Sequence, residues 1–120
     1  MFMKTPAWLL RSRRELRLAM DRMIDRHWGI ATIAKFEPLS PQADEFDRAQ
    51  DDAFTSYYLL YQFLGPSLFL PTDVFYDIGC GNGRVLCRVA RNRIAKVVGI
   101  ELSPRRAAEA RANAETLRGR

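Results

Sequence analysis

Two carboxylates and three glycines between residues 77 and 101 are the residues of this 120-residue chain whose types and spacing best suit chemistry. Asp77 stands at the end of an apolar run that begins at Val74, and glycines follow at positions 79, 81 and 83. Glu101 comes eighteen residues after the last of them, at the end of a second apolar run, 97–100. A strand, a glycine turn, a helix and a second strand that ends in a carboxylate form a nucleotide-binding half-site.

The glycine spacing separates two classes of nucleotide ligand. The dinucleotide fingerprint Gly-x-Gly-x-x-Gly needs a third glycine at position 84 or 86, where this chain has Arg84 and Leu86. The carboxylate of Asp77 would also repel a pyrophosphate. A region of an oxidoreductase that binds NAD or FAD is therefore the disfavoured alternative.

Residues 74–104 resemble the N-terminal half of the core of the class I methyltransferases, which use S-adenosylmethionine. The run 77–86, Asp-Ile-Gly-Cys-Gly-Asn-Gly-Arg-Val-Leu, resembles their motif I, and the run 97–104, Val-Val-Gly-Ile-Glu-Leu-Ser-Pro, resembles motif II. The pattern is similar to small bacterial methyltransferases of poorly defined substrate, and to protein-lysine methyltransferases related to histone methylation enzymes. The resemblance implies a Rossmann-like α/β fold, S-adenosyl-L-methionine as cofactor, and an unknown methyl acceptor, with protein lysine and small molecules as candidates.

The residues expected to contact this cofactor are Asp77, Gly79, Cys80, Gly81, Gly83, Glu101 and Leu102. Asp77 suits a ligand that carries a sulfonium and an α-ammonium, because a carboxylate accepts hydrogen bonds and offsets positive charge. Glu101 could accept hydrogen bonds from both ribose hydroxyls, and Leu102 could pack against the adenine. No metal site is expected, and no catalytic acid or base is assigned.

The domain organisation follows from these motifs. Residues 1–70 are expected to form an N-terminal helical region, and residues 71–120 the start of the Rossmann-like domain with two parallel strands. The class I fold has seven strands, so the strand that usually carries substrate contacts would lie beyond residue 120. We therefore expect the chain to be an inactive N-terminal fragment.

The N-terminal region shows two helical patterns. Thr5-Pro6 is typical of a helix start, and the following periodicity predicts a helix over 7–28 that ends before Gly29. Its buried face is expected to hold apolar residues and its only histidine, with four charged residues directed away from it. The expected face comprises Leu9, Leu16, Met20, Met23, Ile24 and His27, and the charged residues are Arg11, Arg14, Arg22 and Asp25. Packing on the domain is favoured over contact with a membrane or partner.

A second helix is predicted within the aromatic run 54–64, because Gly65-Pro66 ends it. Ser40-Pro41 gives another helix start, and the acidic stretch 44–52 is expected to be exposed. The resemblance implies that Tyr57 and Tyr58 pack over the methionine end of the cofactor, and the alternative that they belong to the core stays open.

Charge is distributed in blocks: residues 37–83 carry a net charge of −7, between flanks of +5 and +7. Such blocks are found on nucleic-acid surfaces, but aromatic residues are not interleaved with the basic ones, so a basic module that binds nucleic acid or an acidic partner is the less favoured alternative. No apolar run is long enough to span a membrane. The two cysteines do not form a disulfide framework, and a cytoplasmic location is expected. The oligomeric state is left open.

Overall fold

The computed structural model describes residues 7–33 and 55–118. In chain order the elements are helix α1 (Ala7–Trp28), helix α2 (Tyr57–Phe63), a 3-10 turn (Pro66–Leu68), strand β1 (Val74–Ile78), helix α3 (Arg84–Val89), strand β2 (Lys96–Ile100) and helix α4 (Pro104–Arg118). Two parallel strands with flanking helices, preceded by N-terminal helices, confirm the predicted partial Rossmann-like fold. The predicted division after residue 70 stays a prediction, and Thr5-Pro6, Ser40-Pro41 and the stretch 44–52 lie outside the described residues.

The two strands pair in parallel and in register, from Val74 opposite Lys96 to Ile78 opposite Ile100. Both are rich in β-branched and aromatic residues, which pack well on a pleated surface. A turn closed by the Asp73 amide, which donates to the Leu70 carbonyl at 3.0 Å, precedes β1. The Asp73 carbonyl in turn accepts from the Ala95 amide at 3.1 Å, which places the start of β2 beside the start of β1.

Helix α3 packs closely on the sheet and against α4, because glycines lie at the points of contact. A Cβ at Gly99 would overlap Leu86 and lie 2.8 Å from the Cys80 sulfur, so the bare backbone of β2 makes room for α3. The helical spacing of Leu86, Val89 and Ala90 predicts that these residues pack on the sheet. Leu86 and the fully buried Val89 face inward as predicted, but Ala90, the residue after the end of α3, is exposed.

The buried core joins α1, α2 and α3, and it comprises Trp28, Ile30, Tyr57, Leu60 and Cys87. The rings of Trp28 and Tyr57 meet edge to face, with centroids 5.3 Å apart. Aromatic pairs in this geometry are stabilised beyond their burial by about 0.5–1.5 kcal/mol. The α1 helix therefore packs on the rest of the molecule, and no helix of the described residues is long and apolar enough to cross a membrane.

The predicted extent of α1 is confirmed, and Gly29 follows it with a φ of 68°. The predicted buried face is right for Met20 and Ile24, which pack against the core, and wrong for other members. Leu16 and Met23 are 70% and 65% exposed, and His27 is exposed. The buried face instead carries Asp21 and Asp25 beside Trp28. Carboxylates occupy this face because buried donors from distant residues pair with them, which the local apolar periodicity does not reveal.

The sequence predicts that Arg88 faces solvent with Arg91 and Arg93, and for Arg88 this prediction is wrong. Arg88 is only 5% exposed, and its guanidinium lies 4.3 Å from the centre of the Tyr61 ring. A planar guanidinium stacks favourably on an aromatic face, which offsets part of the cost of its burial. Arg91 and Arg93 are exposed, as predicted.

Candidate functional site

The candidate site lies at the carboxyl ends of the two strands. Asp77 is the penultimate residue of β1 and pairs with Gly99, while Glu101 directly follows β2. Ligands of open parallel sheets bind beyond this edge, because the loops there leave a crevice. The strand register therefore brings the two predicted carboxylates to the same end of the sheet.

The turn between β1 and α3, residues 79–83, is built from left-handed backbone. The φ angles of Gly79, Gly81 and Gly83 are 81°, 54° and 86°, a region that costs other residues about 1–2 kcal/mol each. The amides of Gly79 and Cys80 both donate to the Ile100 carbonyl, at 2.7 and 3.1 Å, so the turn is fastened to the end of β2.

The three glycines have different surroundings. A Cβ added at Gly79 or Gly81 would meet no atom within 4 Å, so their backbone borders open space. A Cβ at Gly83 would lie 3.1 Å from both Cα and Cβ of Ala110, so this glycine permits close packing of α4 on the start of α3. The first two therefore form a cradle that a side chain would fill, and the third has a packing role.

Glu101 connects the turn to the next helix. Its Oε2 accepts the Gly81 amide at 2.7 Å, and its Oε1 accepts the Ser103 amide at 2.9 Å. Ser103 in turn accepts the Arg106 amide on its hydroxyl at 3.4 Å. The pair Ser103-Pro104 predicts such a helix cap, and the structure confirms it. An ionised carboxylate has about four acceptor positions, so these two contacts leave it capacity for ligand hydroxyls.

Asp77 has an unmet requirement for a donor. Its Oδ2 atom is buried and has no hydrogen-bond partner among the described residues. Burial, and then the charge of Glu101, raise the pKa of Asp77 above its ordinary value. A buried carboxylate oxygen without a donor is costly. A ligand that brings N–H groups or positive charge to this edge of the sheet would remove that cost.

Comparison with known proteins identifies this part of the chain. Residues 75–119 match the model of the family described as "Methyltransferase domain". This stretch is a class I methyltransferase region. It contains the glycine turn and both carboxylates. It also contains the close contacts of Gly83 with Ala110 and of Gly99 with Leu86.

Two curated relatives are similar to part of this chain. A protein-lysine N-methyltransferase of Saccharolobus islandicus (strain REY15A) is 43% identical over 44 residues, which are 36% of this chain and 27% of that protein. A histone-lysine N-methyltransferase, H3 lysine-79 specific, of Dictyostelium discoideum is 46% identical over 44 residues, which are 37% of this chain and 2% of that protein. The chain thus spans about a quarter or less of the relatives it matches. No solved structure gives a significant match.

The remaining predicted site residues of the methyltransferase region differ in accessibility. Cys80 is 9% exposed, and burial, followed by the charges of Asp77 and Glu101, raises the pKa of its thiol. The sulfur lies toward Gly99 inside the turn, so that a cofactor contact by Cys80 would use its backbone. Leu102 is 73% exposed beside Glu101, which leaves its side chain available to a ligand.

The two aromatic residues expected to cover the cofactor lie in different environments. Tyr57 is completely buried and donates its hydroxyl to Asp25 Oδ1 at 2.8 Å. Its burial raises its pKa well above the ordinary value. Tyr57 thus fits the core interpretation. Tyr58 is 40% exposed, with the Arg17 guanidinium 4.7 Å from its ring centre.

A polar network lies beneath the turn and was not predicted from the sequence. Arg84, the first residue of α3, is 3% exposed and forms an ion pair with Asp21 Oδ2 at 3.0 Å. Its Nε also donates to the Thr32 hydroxyl at 2.7 Å. The one local sign was the pair of aspartates four residues apart on a basic helix, Asp21 and Asp25, on the same face as Trp28. Among the described residues, no cluster of histidine, cysteine and carboxylate side chains could hold a metal ion.

Proposed function

We propose that the methyltransferase region binds S-adenosyl-L-methionine and belongs to an enzyme that transfers its methyl group. The observation that carries the proposal is the buried, unpartnered oxygen of Asp77 beside the open cradle of Gly79 and Gly81. S-adenosylmethionine carries an ammonium and a sulfonium. Either group would offset the negative charge of this carboxylate. A dinucleotide would bring a negative pyrophosphate to the same place.

Each residue of the site would make a different contact with the cofactor. Asp77 would accept a hydrogen bond from a cationic group, and Glu101 would accept ribose hydroxyls on positions not used by the Gly81 and Ser103 amides. The backbone of Gly79 and Gly81 would approach the ligand closely, and Leu102 would contact its base. The bound cofactor supplies a methyl group on a positively charged sulfur, which an acceptor nucleophile displaces.

A lysine side chain of a protein is the acceptor that we propose to test first. The support is that both curated relatives are named as lysine N-methyltransferases and share 43–46% identity with this chain over 44 residues. A small-molecule acceptor is the second candidate. The free thiols of Cys80 and Cys87 suit a reducing compartment, and we propose a cytoplasmic location on that basis.

Isothermal titration calorimetry of the chain with S-adenosylmethionine, S-adenosylhomocysteine and NAD tests the cofactor. We expect heat from the first two and none from NAD, with little change between low and moderate salt. Asp77→Asn should weaken S-adenosylmethionine binding roughly 10- to 150-fold, because a hydrogen bond to a charged group contributes about 1.5–3 kcal/mol. Glu115→Gln is the matched control, since Glu115 is exposed on α4.

Binding of NAD in preference to both adenosylated ligands would reject the proposal and favour an oxidoreductase. Binding of an oligonucleotide that collapses as salt is raised, with no heat from either ligand, would favour a basic binding module. For the acceptor, transfer of labelled methyl groups from S-adenosylmethionine to a lysine-rich protein should be compared with the same protein after chemical acetylation of its lysines. Equal labelling of the two proteins, above the background measured without the chain, would contradict a lysine acceptor.

A further inference from the structure

We propose that residues 30–33, which we call the strap, position the glycine turn for its ligand, and that Thr32 is the residue through which they do so. The inference rests on the proposed function, because positioning matters for a turn that holds a cofactor. The strap lies outside residues 75–119, which match the methyltransferase family. The N-terminal helix would then be a working part of the cofactor site.

The strap is fixed at its start by α1. The Ile30 amide donates to the Asp25 carbonyl at 3.0 Å, just after the left-handed Gly29. The Asp25 carboxylate then accepts the amides of Thr32 and Ile33, at 2.6 and 3.2 Å, and the Thr32 hydroxyl at 2.7 Å. The buried Asp25 side chain therefore fixes the conformation of the strap, since all of these donors bond to its two carboxylate oxygens.

The strap in turn holds the glycine turn. Thr32 uses two groups for this contact: its carbonyl accepts the Asn82 side-chain amide at 2.7 Å, and its hydroxyl accepts the Arg84 Nε at 2.7 Å. The Thr32 hydroxyl thus donates to Asp25 and accepts from Arg84, which orders the chain of bonds from α1 to α3. Thr32 is completely buried, so water does not compete with these contacts.

Asn113 on α4 completes the clamp from the other side. Its amide nitrogen donates to the carbonyls of Ala31 and Asn82, both at 3.0 Å, and its oxygen accepts the Ala31 amide at 3.0 Å. Asn82 is therefore held at its side chain by the strap and at its carbonyl by α4. The clamp matters because the neighbouring Gly79 and Gly81 border open space and have no side chains to hold them.

The test compares Thr32→Val, which keeps the shape and removes the hydroxyl, with Thr32→Ser, which keeps the hydroxyl. The affinity for S-adenosylhomocysteine is measured at a temperature where every variant is folded. We expect Thr32→Val to raise Kd at least about tenfold, because a charge-assisted hydrogen bond to Arg84 is lost. Thr32→Ser should stay close to the parent. Phe69→Ala removes the edge-to-face contact of Phe69 with Phe75 near the start of β1, at the opposite end of the strand from the turn, and should leave Kd unchanged.

Amide hydrogen exchange of the unliganded chain gives a second readout that does not depend on any cofactor. Thr32→Val should speed exchange of the Gly81 and Gly83 amides relative to those of Val97 and Val98 in β2, and Phe69→Ala should not. Where Thr32→Val does not fold, Asn82→Ala replaces it, since it removes only the side-chain bond to the Thr32 carbonyl.

The proposal is overturned if exchange at the turn is unchanged in folded Thr32→Val or Asn82→Ala, or if Phe69→Ala weakens binding as much as Thr32→Val does. Failure of the parent chain to bind S-adenosylmethionine and S-adenosylhomocysteine would reject the proposed function instead. The exchange measurement would still decide whether the strap holds the turn.

Discussion

At the scale of single residues, Asp77 is where stability and ligand binding oppose each other. Its pKa is raised in the folded protein by burial and by Glu101, so folding disfavours its charged form. The sign follows directly: the stability associated with this group is greatest below the unfolded pKa of about 3.9 and is lost as pH rises through the higher folded pKa. The chain keeps a carboxylate that costs stability at neutral pH.

We therefore predict that Asp77→Asn raises the melting temperature of the unliganded chain at pH 7 while it weakens cofactor binding. The gain should shrink as pH falls toward 4, because protonation of Asp77 in the parent then removes part of the cost of burying its charge. Thermal melts of the two proteins between pH 4 and pH 8 measure the difference. A variant less stable than the parent at pH 7 would show that the Asp77 carboxylate stabilises the fold.

At the scale of elements, the turn between β1 and α3 combines two glycines of the same backbone conformation and different surroundings. Gly79→Ala should cost about 1–2 kcal/mol for the left-handed backbone and should obstruct the cradle. Gly83→Ala should cost roughly 1–3 kcal/mol more, because its Cβ would lie 3.1 Å from Ala110 on α4.

Urea unfolding and S-adenosylhomocysteine titration of the two variants separate these effects. We expect Gly83→Ala to lose more stability than Gly79→Ala. Gly79→Ala should lose more affinity for S-adenosylhomocysteine, relative to its loss of stability, than Gly83→Ala. Equal losses of stability, with unchanged affinity in Gly79→Ala, would contradict the distinction between cradle and packing positions.

The elements also show what sequence could predict. Local patterns set the extents of α1 and β1, the turn glycines and the Ser103 cap, because each depends on neighbours within a few residues. The burial of Asp21, Asp25 and Arg88 was not predictable in this way. Asp21 pairs with Tyr57 and Arg84, which are 36 and 63 residues away, and only tertiary packing brings such partners together. The strap was missed for the same reason.

At the scale of the whole molecule, one face of the sheet carries exposed apolar side chains. Val74, Tyr76 and Ile78 on β1 and Ile100 on β2 are between 45% and 81% exposed. They share a face because alternate residues of a strand point the same way. Apolar surface of this kind on a two-stranded sheet favours association.

We predict that the purified chain self-associates as its concentration rises, and that Ile78→Lys reduces this association. Sedimentation velocity over a range of concentrations measures it. Leu16→Lys is the matched control, since Leu16 is 70% exposed on α1, away from the sheet. Loss of association in Leu16→Lys alone would place the contact on α1, and a monomer at every concentration would contradict the prediction.

The location of the cofactor is the central claim, and two-dimensional amide NMR of the labelled chain during titration with S-adenosylhomocysteine tests it most directly. We predict that the largest saturable shifts occur at residues 77–83 and at Glu101 and Leu102, with small shifts along α1 before residue 20. Saturable shifts that avoid the turn, or no shifts at millimolar ligand, would contradict the assignment of this edge of the sheet as the cofactor site.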